Sequence, residues 1–456
     1  MPELFSRTAN GPPFAAATNT LNPGNYPNPF TLALRLNRSP RARDIKNLAC
    51  AAPSLILRPL MQAVAAAPVA EIAPTKARTI SGYARLVLAG GSSIAIGILW
   101  DISWHRTIGR DTFWTPAHMA IYLGGIMGGL TCGWLVIRTT FFPSPEEQAG
   151  AVGLWGFRGP LGAWITIWGA FAMLVSAPFD NWWHNAYGVD VKILSPPHSV
   201  LALGMWGTVL GALILVLREQ NLAPPDEPAP GRFLYIYASG LLVVMASVFL
   251  IEYSWPNQHH TSRFYVASCV TFPFYLLGLA RGSKFRWGAT WIALIYMAVL
   301  AVLAWILPLF PGQPRLGPIY NPVTHFVPLP FPLLLVVPAL GMDLIRGWIG
   351  HGRGWLRDWL IVLLAGSIFL ALFLAAQWYF SGFLISRSAE GWFFATKNHW
   401  GYREGAGNWH YEFWSDTNPR WNPPLTNSGI LLALVLSIAA SRVGLWLGNW
   451  MVKVRR

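Results

Sequence analysis

The hydropathy pattern divides the 456-residue chain into a polar beginning and a long series of apolar segments. From residue 82 onward, apolar runs of about 20 residues alternate with short polar loops, and a helix of that length crosses the ~30 Å hydrocarbon core of a bilayer. Ten segments are predicted, at roughly 82–100, 117–137, 160–178, 197–217, 233–251, 264–280, 288–309, 326–345, 359–379 and 428–449. The pattern therefore predicts an all-α membrane bundle of about ten transmembrane helices within residues 81–456.

Residues 1–80 differ from the rest of the chain. They are rich in Pro, Asn, Ala and Arg and have no sustained helical period. We expect a basic N-terminal tail that is either disordered or a targeting segment.

Composition and charge support the membrane assignment. Charged residues make up 11% of the chain, whereas soluble proteins have roughly 25%. The net charge of +14 is concentrated in the N-terminal tail and in short loops between the apolar segments. This distribution argues against a nucleic-acid partner and makes the lipid bilayer the expected one.

The loops alternate in character along the chain. One set is rich in Lys and Arg, so by the positive-inside rule it is expected to be cytoplasmic, together with both termini. The opposite loops hold nine of the ten histidines, which in a bacterial inner membrane would face the periplasm. These histidines are His105, His118, His184, His198, His259, His260, His325, His399 and His410.

One motif occurs twice, each time between two apolar segments. The first copy places three residues between an aspartate and a histidine and twelve before a second histidine; the second copy has three and thirteen. A Gly-x-Asp sequence lies inside each copy and a glycine follows the last histidine by six residues. Repetition at this spacing predicts a bundle built from repeated helical hairpins. The residues are Asp101, His105 and His118 in the first copy, and Asp180, His184 and His198 in the second.

The motif has the composition of a metal site. Residues four apart on a helix share a face, and a proline two residues before the last histidine favours a helix start there. A carboxylate and two imidazoles leave coordination positions open and suit copper, zinc or non-haem iron. All six residues are therefore predicted metal ligands. Asp111 and Asp190 are predicted either to orient a ligating imidazole through its free N–H or to cap a helix or pair with a basic residue.

The spacing Asp101-x3-His105-x12-His118 resembles the copper-ligand motif of the C subunit of copper membrane monooxygenases, the particulate methane and ammonia monooxygenase family. The resemblance is at the level of the motif and covers about twenty residues. It implies copper as the metal, Asp101, His105 and His118 as its ligands, and a membrane oxidoreductase or a subunit of one. The second copy departs from this spacing by one residue.

Several alternatives remain open from the sequence. The chain could instead be a non-catalytic copper-binding or copper-transfer protein, a structural subunit of a membrane complex, a zinc-dependent membrane hydrolase or a transporter. Haem held between His118 and His198 is a further possibility. The same residues could also be plain hydrogen-bonding groups at the membrane surface.

The outer loop 380–427 is long and aromatic. It is expected to lie on the membrane surface, to cover the metal sites as a lid, or to dock a periplasmic partner or another membrane subunit. His399 and His410 are conceivable additional ligands within it.

Overall fold

The computed structural model describes seven stretches of the chain, and all structural statements below concern them. They are residues 81–109, 114–187, 195–223, 231–315, 323–350, 354–395 and 424–456.

The fold is an all-α bundle, as the hydropathy pattern predicts. Eight of the described helices are long and apolar enough to cross a membrane by length and composition. Between the second and third long helices lie a five-residue helix and a small antiparallel hairpin of two strands. The elements are α1 (Gly82–Thr107), α2 (Pro116–Phe141), α3 (Pro145–Ala149), β1 (Val152–Leu154), β2 (Phe157–Gly159), α4 (Leu161–Tyr187), α5 (Pro196–Leu222), α6 (Arg232–Val248), α7 (Ser262–Gly282), α8 (Gly288–Ile306), α9 (Val336–Ile349), α10 (Trp355–Ile385) and α11 (Asn427–Met451).

The first four long helices of the bundle form two helical hairpins, α1/α2 and α4/α5. Glycines allow their backbones to cross closely, because a Cβ atom added at Gly90 would lie 2.8 Å from the carbonyl oxygen of Gly124. The second hairpin has the same arrangement, with a Cβ at Gly169 lying 2.7 Å from the carbonyl oxygen of Gly204. Each pair therefore fixes the distance between two helices, and hence the relative position of their ends.

The remaining helices pack beside these hairpins. α7 and α11 also cross at glycines, since a Cβ at Gly278 would lie 2.7 Å from the carbonyl oxygen of Gly444. α10 packs against α11 through Gly366 and Ile438. Large aromatic side chains fill the space between the helices, among them the fully buried Tyr235, Phe272 and Phe373.

The predicted span 326–345 is wrong in its first half. The helix begins only at Val336, residues 326–334 have no regular structure, and Leu335 forms a turn between them. Pro328, Pro330 and Pro332 explain the difference, since each removes a backbone donor and cannot continue a helix.

Non-helical backbone is tolerated in a membrane only where protein surrounds it. This segment meets that condition, because Val327, Leu329 and Leu333 are almost completely buried. Its backbone is also paired, as the Leu334 N–H donates to the Gln377 side-chain oxygen at 3.1 Å. The proline-rich segment is therefore part of the packed interior.

Contacts between distant elements define two ends of the bundle. At one end, here called the histidine end, Arg106 of α1 pairs with Glu252 at 2.9 Å and the His260 carbonyl accepts from the Leu425 N–H. At the other, the basic end, Gln220 donates to the Gly282 carbonyl and Asn221 to that of Met451.

Candidate metal centre

Helix α1 continues beyond its predicted end and carries the first two motif residues. Its 26 residues span about 39 Å at 1.5 Å per residue, more than the ~30 Å of hydrocarbon. Asp101 and His105 lie in its last two turns, one turn apart on the same face. The helix therefore presents both side chains at the histidine end.

The third motif residue is positioned by the start of α2. Thr115 is the N-cap, and its side chain accepts a hydrogen bond from the His118 N–H at 3.2 Å. Pro116 occupies the first helical position, where its missing N–H costs nothing. These two local signals place His118 in the first turn, facing the end of α1.

The side chains of Asp101, His105 and His118 form one compact group. One ligand atom from each lies within 4.8 Å of the others. The carboxylate lies between the two rings: Asp101 Oδ1 is 3.1 Å from His118 Nε2, and Oδ2 is 3.5 Å from His105 Nε2. A tetrahedral ion bonded at about 2.1 Å holds its ligand atoms about 3.4 Å apart. The three residues could therefore hold a metal ion.

The three side chains differ in their exposure to solvent. The side chains of Asp101 and His118 are 13% and 25% exposed, whereas that of His105 is 39% exposed. The group is thus anchored by a largely buried carboxylate and opens toward the outside at His105.

The opposite face of the same helical turns is held by the proline-rich segment. The Ser103 hydroxyl donates to the Val327 carbonyl at 2.6 Å, and the Val327 N–H donates to the Thr107 hydroxyl at 2.8 Å. The Trp104 ring packs on Phe326 with centroids 5.7 Å apart. These contacts fix the rotation of α1 and, with it, the direction of Asp101 and His105.

An ion pair and a cation–π contact of Arg106 also hold the end of α1 in place. The Arg106 guanidinium pairs with Glu252 and lies over the Trp255 ring, 4.4 Å from its centroid. Sequence reasoning missed Ser103, Thr107 and Arg106 as positioning residues, because their partners lie far away in the chain.

The second copy of the motif is brought together in a similar way. Ser195 caps α5 by accepting from the His198 N–H at 3.3 Å. Asp180 Oδ1 lies 3.4 Å from His198 Nε2, and both side chains are about one-third exposed. His184 belongs to α4, one turn after Asp180, and its side chain is outside the described part of the structure.

Tyr122 lies between the two groups and was not singled out from the sequence. It lies one turn after His118 on α2, and its hydroxyl forms a hydrogen bond with Ser176 of α4, one turn before Asp180. The only sequence signal is its distance of four residues from His118. The second copy has Ala202 at the corresponding position, so the repetition gives no hint of it.

The other histidines of this end do not join the group where they are described. The His259 ring is fully buried and stacks on Phe264 with centroids 4.3 Å apart. Its Nε2 lies 3.0 Å from the Ser254 carbonyl and its Nδ1 lies 3.0 Å from the Gln377 amide nitrogen. The carbonyl can only accept, so Nε2 carries a hydrogen, and the amide nitrogen can only donate, so Nδ1 carries none and the ring is neutral. His259 is thus a packing residue that joins the loop before α7 to α10.

His260 and His325 are also engaged locally. The His260 ring stands edge-on to Trp378 at 4.2 Å, and His325 Nδ1 lies 3.0 Å from the Thr324 hydroxyl. Asp111, Asp190, His399 and His410 lie outside the described residues, as does most of loop 380–427.

The chain was compared with protein-family models, with curated proteins and with solved structures, and none of the three comparisons yields a match.

Proposed function

We propose that this membrane protein is a copper-dependent oxidoreductase, or the metal-binding subunit of one, with Asp101, His105 and His118 as ligands. The observation that carries the proposal is the convergence of these three side chains at the ends of two membrane helices, with ligand atoms within 4.8 Å. The resemblance of their spacing to the copper-ligand motif of monooxygenase C subunits favours copper.

Each residue has a distinct part in the proposed site. Asp101 is the central ligand, since one of its oxygens lies nearest His118 and the other nearest His105. His118 is fixed by the helix cap of α2. His105 is the most exposed of the three and lies where water, oxygen or a substrate would enter. Copper in such a site supplies one-electron redox chemistry and leaves positions open for a further ligand.

The second hairpin is proposed to hold an equivalent site, with Asp180, His184 and His198 as ligands. Asp180 already faces His198 at 3.4 Å. The supporting glycines also correspond, since Gly90 and Gly169 each precede their aspartate by eleven residues. We infer that the two hairpins are copies of one unit.

The geometry favours a metal ion over haem. Haem iron would be bound by a histidine nitrogen, but Nε2 of His118 and of His198 each faces an aspartate oxygen. Haem ligation would give these carboxylates no role, whereas a small metal ion would be bound by the histidine and by the aspartate.

A second candidate function is the binding and transfer of copper without turnover. It is favoured by the exposure of His105, because a ligand 39% exposed can be displaced by an incoming acceptor. In both candidates the same three residues bind the metal, so turnover distinguishes them.

The test is oxygen consumption by copper-loaded protein in lipid nanodiscs, supplied with a quinol reductant and a panel of small hydrocarbons. We expect copper-dependent consumption that falls at least ~100-fold in His118→Ala. His325→Ala is the control, because this histidine lies at the same end and contacts Thr324. Both variants must retain the wild-type melting profile.

Two other results would reject the oxidoreductase. Copper that passes to an added chelating acceptor without any oxygen consumption would identify a carrier. Zinc as the bound metal, with hydrolysis of an ester or amide probe, would identify a hydrolase using metal-activated water.

A further inference from the structure

We propose a binding site for the phosphate headgroup of an anionic lipid at the basic end of the bundle. A cavity of about 230 Å³ lies there between α7, α9, α10 and α11. Three arginines line it, together with Gly347, Ile361 and Leu445. The arginines are Arg281, Arg286 and Arg346. This site lies at the opposite end of the bundle from Asp101, His105 and His118, and the proposal does not depend on the proposed function.

Two of the three guanidinium groups are held in place by the protein. Arg281 donates through Nε to the Asn449 side-chain oxygen at 2.9 Å. Arg346 donates to Asp343 at 2.9 Å and to the Ala280 carbonyl at 3.0 Å. A planar guanidinium held in this way is preorganised to bind phosphate oxygens. The cavity wall is thus a built cationic surface.

The nearest carboxylate offsets only part of this charge. Asp343 is buried and accepts from Arg346, from the backbone N–H groups of Ala289 and Thr290, and from the Thr290 hydroxyl. It therefore stabilises the start of α8 as well as Arg346.

Only Arg346 of the three arginines contacts Asp343. A second carboxylate, Asp358, accepts from Asn449, the partner of Arg281, at 3.3 Å. Three arginines against two carboxylates leave an excess of positive charge that favours an anion.

The other wall of the cavity is apolar. Ile361 and Leu445 belong to the long helices α10 and α11 and are almost completely buried. A free phosphate has nothing to gain from such a wall, whereas a lipid would place its glycerol and upper acyl carbons against it. Cavities for drug-sized ligands measure about 300–1,000 Å³, so this smaller one suits a single headgroup.

The location also matches where such lipids are found. Basic pockets between membrane helices, on the side rich in Lys and Arg, bind anionic headgroups. Arg286 lies at the exposed mouth of the cavity with its guanidinium 5.1 Å from the Trp287 ring centroid. We assign Arg286 the role of closing over the bound phosphate.

The test is native mass spectrometry of the full chain titrated with phosphatidylglycerol or with phosphatidylcholine. We expect saturable binding of phosphatidylglycerol that Arg286→Gln weakens about fivefold, the effect of ~1 kcal/mol for one basic residue. Lys284→Gln is the matched control, because it removes the same charge two residues away and does not line the cavity. Its affinity should remain within a factor of two of the wild type.

A second variant tests whether lipid binding depends on the cavity itself or only on positive charge at the surface. Gly347 lines the cavity, and a Cβ there meets nothing within 4 Å, so we expect Gly347→Leu to add bulk at the cavity wall without changing any charge. We expect it to abolish the saturable phase while the protein keeps its melting temperature. Unchanged binding in this variant would overturn the proposal, as would equal losses in Arg286→Gln and Lys284→Gln.

Inorganic phosphate distinguishes the two sources of the anion. For a lipid site, millimolar phosphate leaves phosphatidylglycerol binding almost unchanged. Displacement of the lipid by phosphate, with the same dependence on Arg286, would identify a free-phosphate site and reject the lipid assignment.

Discussion

Asp101 contacts both histidines of its group because two local rules coincide. A single turn of α1 separates it from His105, and a capped helix start places His118 beside it. Residues two positions away, such as Ser103, point to the opposite side and bind the proline-rich segment. One helical turn thus carries ligands on one face and their anchors on the other.

Removing the Ser103 hydroxyl, which binds the proline-rich segment, should lower the stability of the protein. Ser103→Ala leaves the buried Val327 carbonyl without its donor, which is expected to lower the free energy of unfolding by about 1–3 kcal/mol. Ser386→Ala is the control, since its hydroxyl donates only to the Phe383 carbonyl at an exposed position. Thermal unfolding in detergent measures both. Equal melting temperatures for the two variants would show that the contact with Val327 does not hold α1.

Buried His259 should make the fold sensitive to acid. Burial lowers the pKa of His259 to about 3, although its hydrogen bond to the Ser254 carbonyl acts in the opposite direction. The ordinary value is about 6.5, so the unfolded chain binds a proton between pH 6.5 and 3 that the folded chain does not. Stability from this group is complete above pH 6.5 and is lost as the pH falls, by up to ~1.4 kcal/mol per pH unit.

The measurement is the free energy of unfolding at several pH values for the wild type and for His259→Gln. We expect a shallower decline in the variant between pH 6 and 4. Histidine NMR of the wild type provides an independent check, because the His259 ring should remain neutral at pH 4. A ring that titrates near pH 6.5 would contradict its assignment as a packing residue.

At the residue scale, the sequence predicted what depends on short distances along the chain. The positions of Asp101, His105 and His118 follow from helix periodicity and a proline. The partnership of Ser103 with Val327 spans 224 residues and leaves no local trace. The sequence groups His259 with the motif histidines because it lies in the same set of loops, whereas its ring is buried between Phe264 and Gln377.

At the scale of elements, glycine crossings decide how closely the helices of each hairpin approach. A Cβ at Gly124 would collide with the Gly90 carbonyl and with Ile94. The equivalent Gly204 faces the Gly169 carbonyl and Met173, which precedes Asp180 by the same seven residues that separate Ile94 from Asp101. Correct placement of the helix ends depends on these crossings.

Gly124→Ala should therefore separate α1 from α2. We expect a loss of about 1–3 kcal/mol, typical of overpacking, together with weaker metal binding as His118 moves away from Asp101. Gly133→Ala on the same helix is the control, because a Cβ there meets nothing within 4 Å. Melting temperature and metal affinity are measured on both. A stable Gly124→Ala protein with normal metal affinity would contradict the proposed role of the crossing.

Most elements follow from the hydropathy pattern, and the exception has a clear cause. The segment 326–345 is apolar apart from Asp343, so its hydropathy alone predicts a helix. Its three alternating prolines instead leave a stretch without regular structure, which the surrounding protein buries. Apolar composition indicates that a segment is buried, but it does not indicate whether the segment is helical. Here the prolines, which cannot continue a helix, decide against a helix.

At the scale of the whole molecule, charge is divided between the two ends. The basic end holds Arg281, Arg286 and Arg346, whereas the candidate metal ligands and His259 lie at the opposite end. By the positive-inside rule we predict that the basic end is cytoplasmic. Lys284→Cys should then be labelled by a membrane-impermeant maleimide only after the cells are permeabilised.

Glu390→Cys tests the opposite end in the same experiment. Glu390 is exposed after α10 and should be labelled in intact cells. Cys132 and Cys269 are buried, and Cys50 is replaced by serine to remove background. Labelling of Lys284→Cys in intact cells, with Glu390→Cys protected, would reverse the predicted orientation and place the metal group inside.

The most direct test of the whole account is the metal content of the purified protein, measured by inductively coupled plasma mass spectrometry. We predict one or two copper ions per chain, with at least one lost in Asp101→Asn and in His118→Ala and none lost in His325→Ala. The double variant His105→Ala/His184→Ala should lose both sites. A correctly folded wild-type protein that binds no metal after incubation with copper or zinc would contradict the account. Asp101 and its two histidines would then be hydrogen-bonding groups at the end of the bundle.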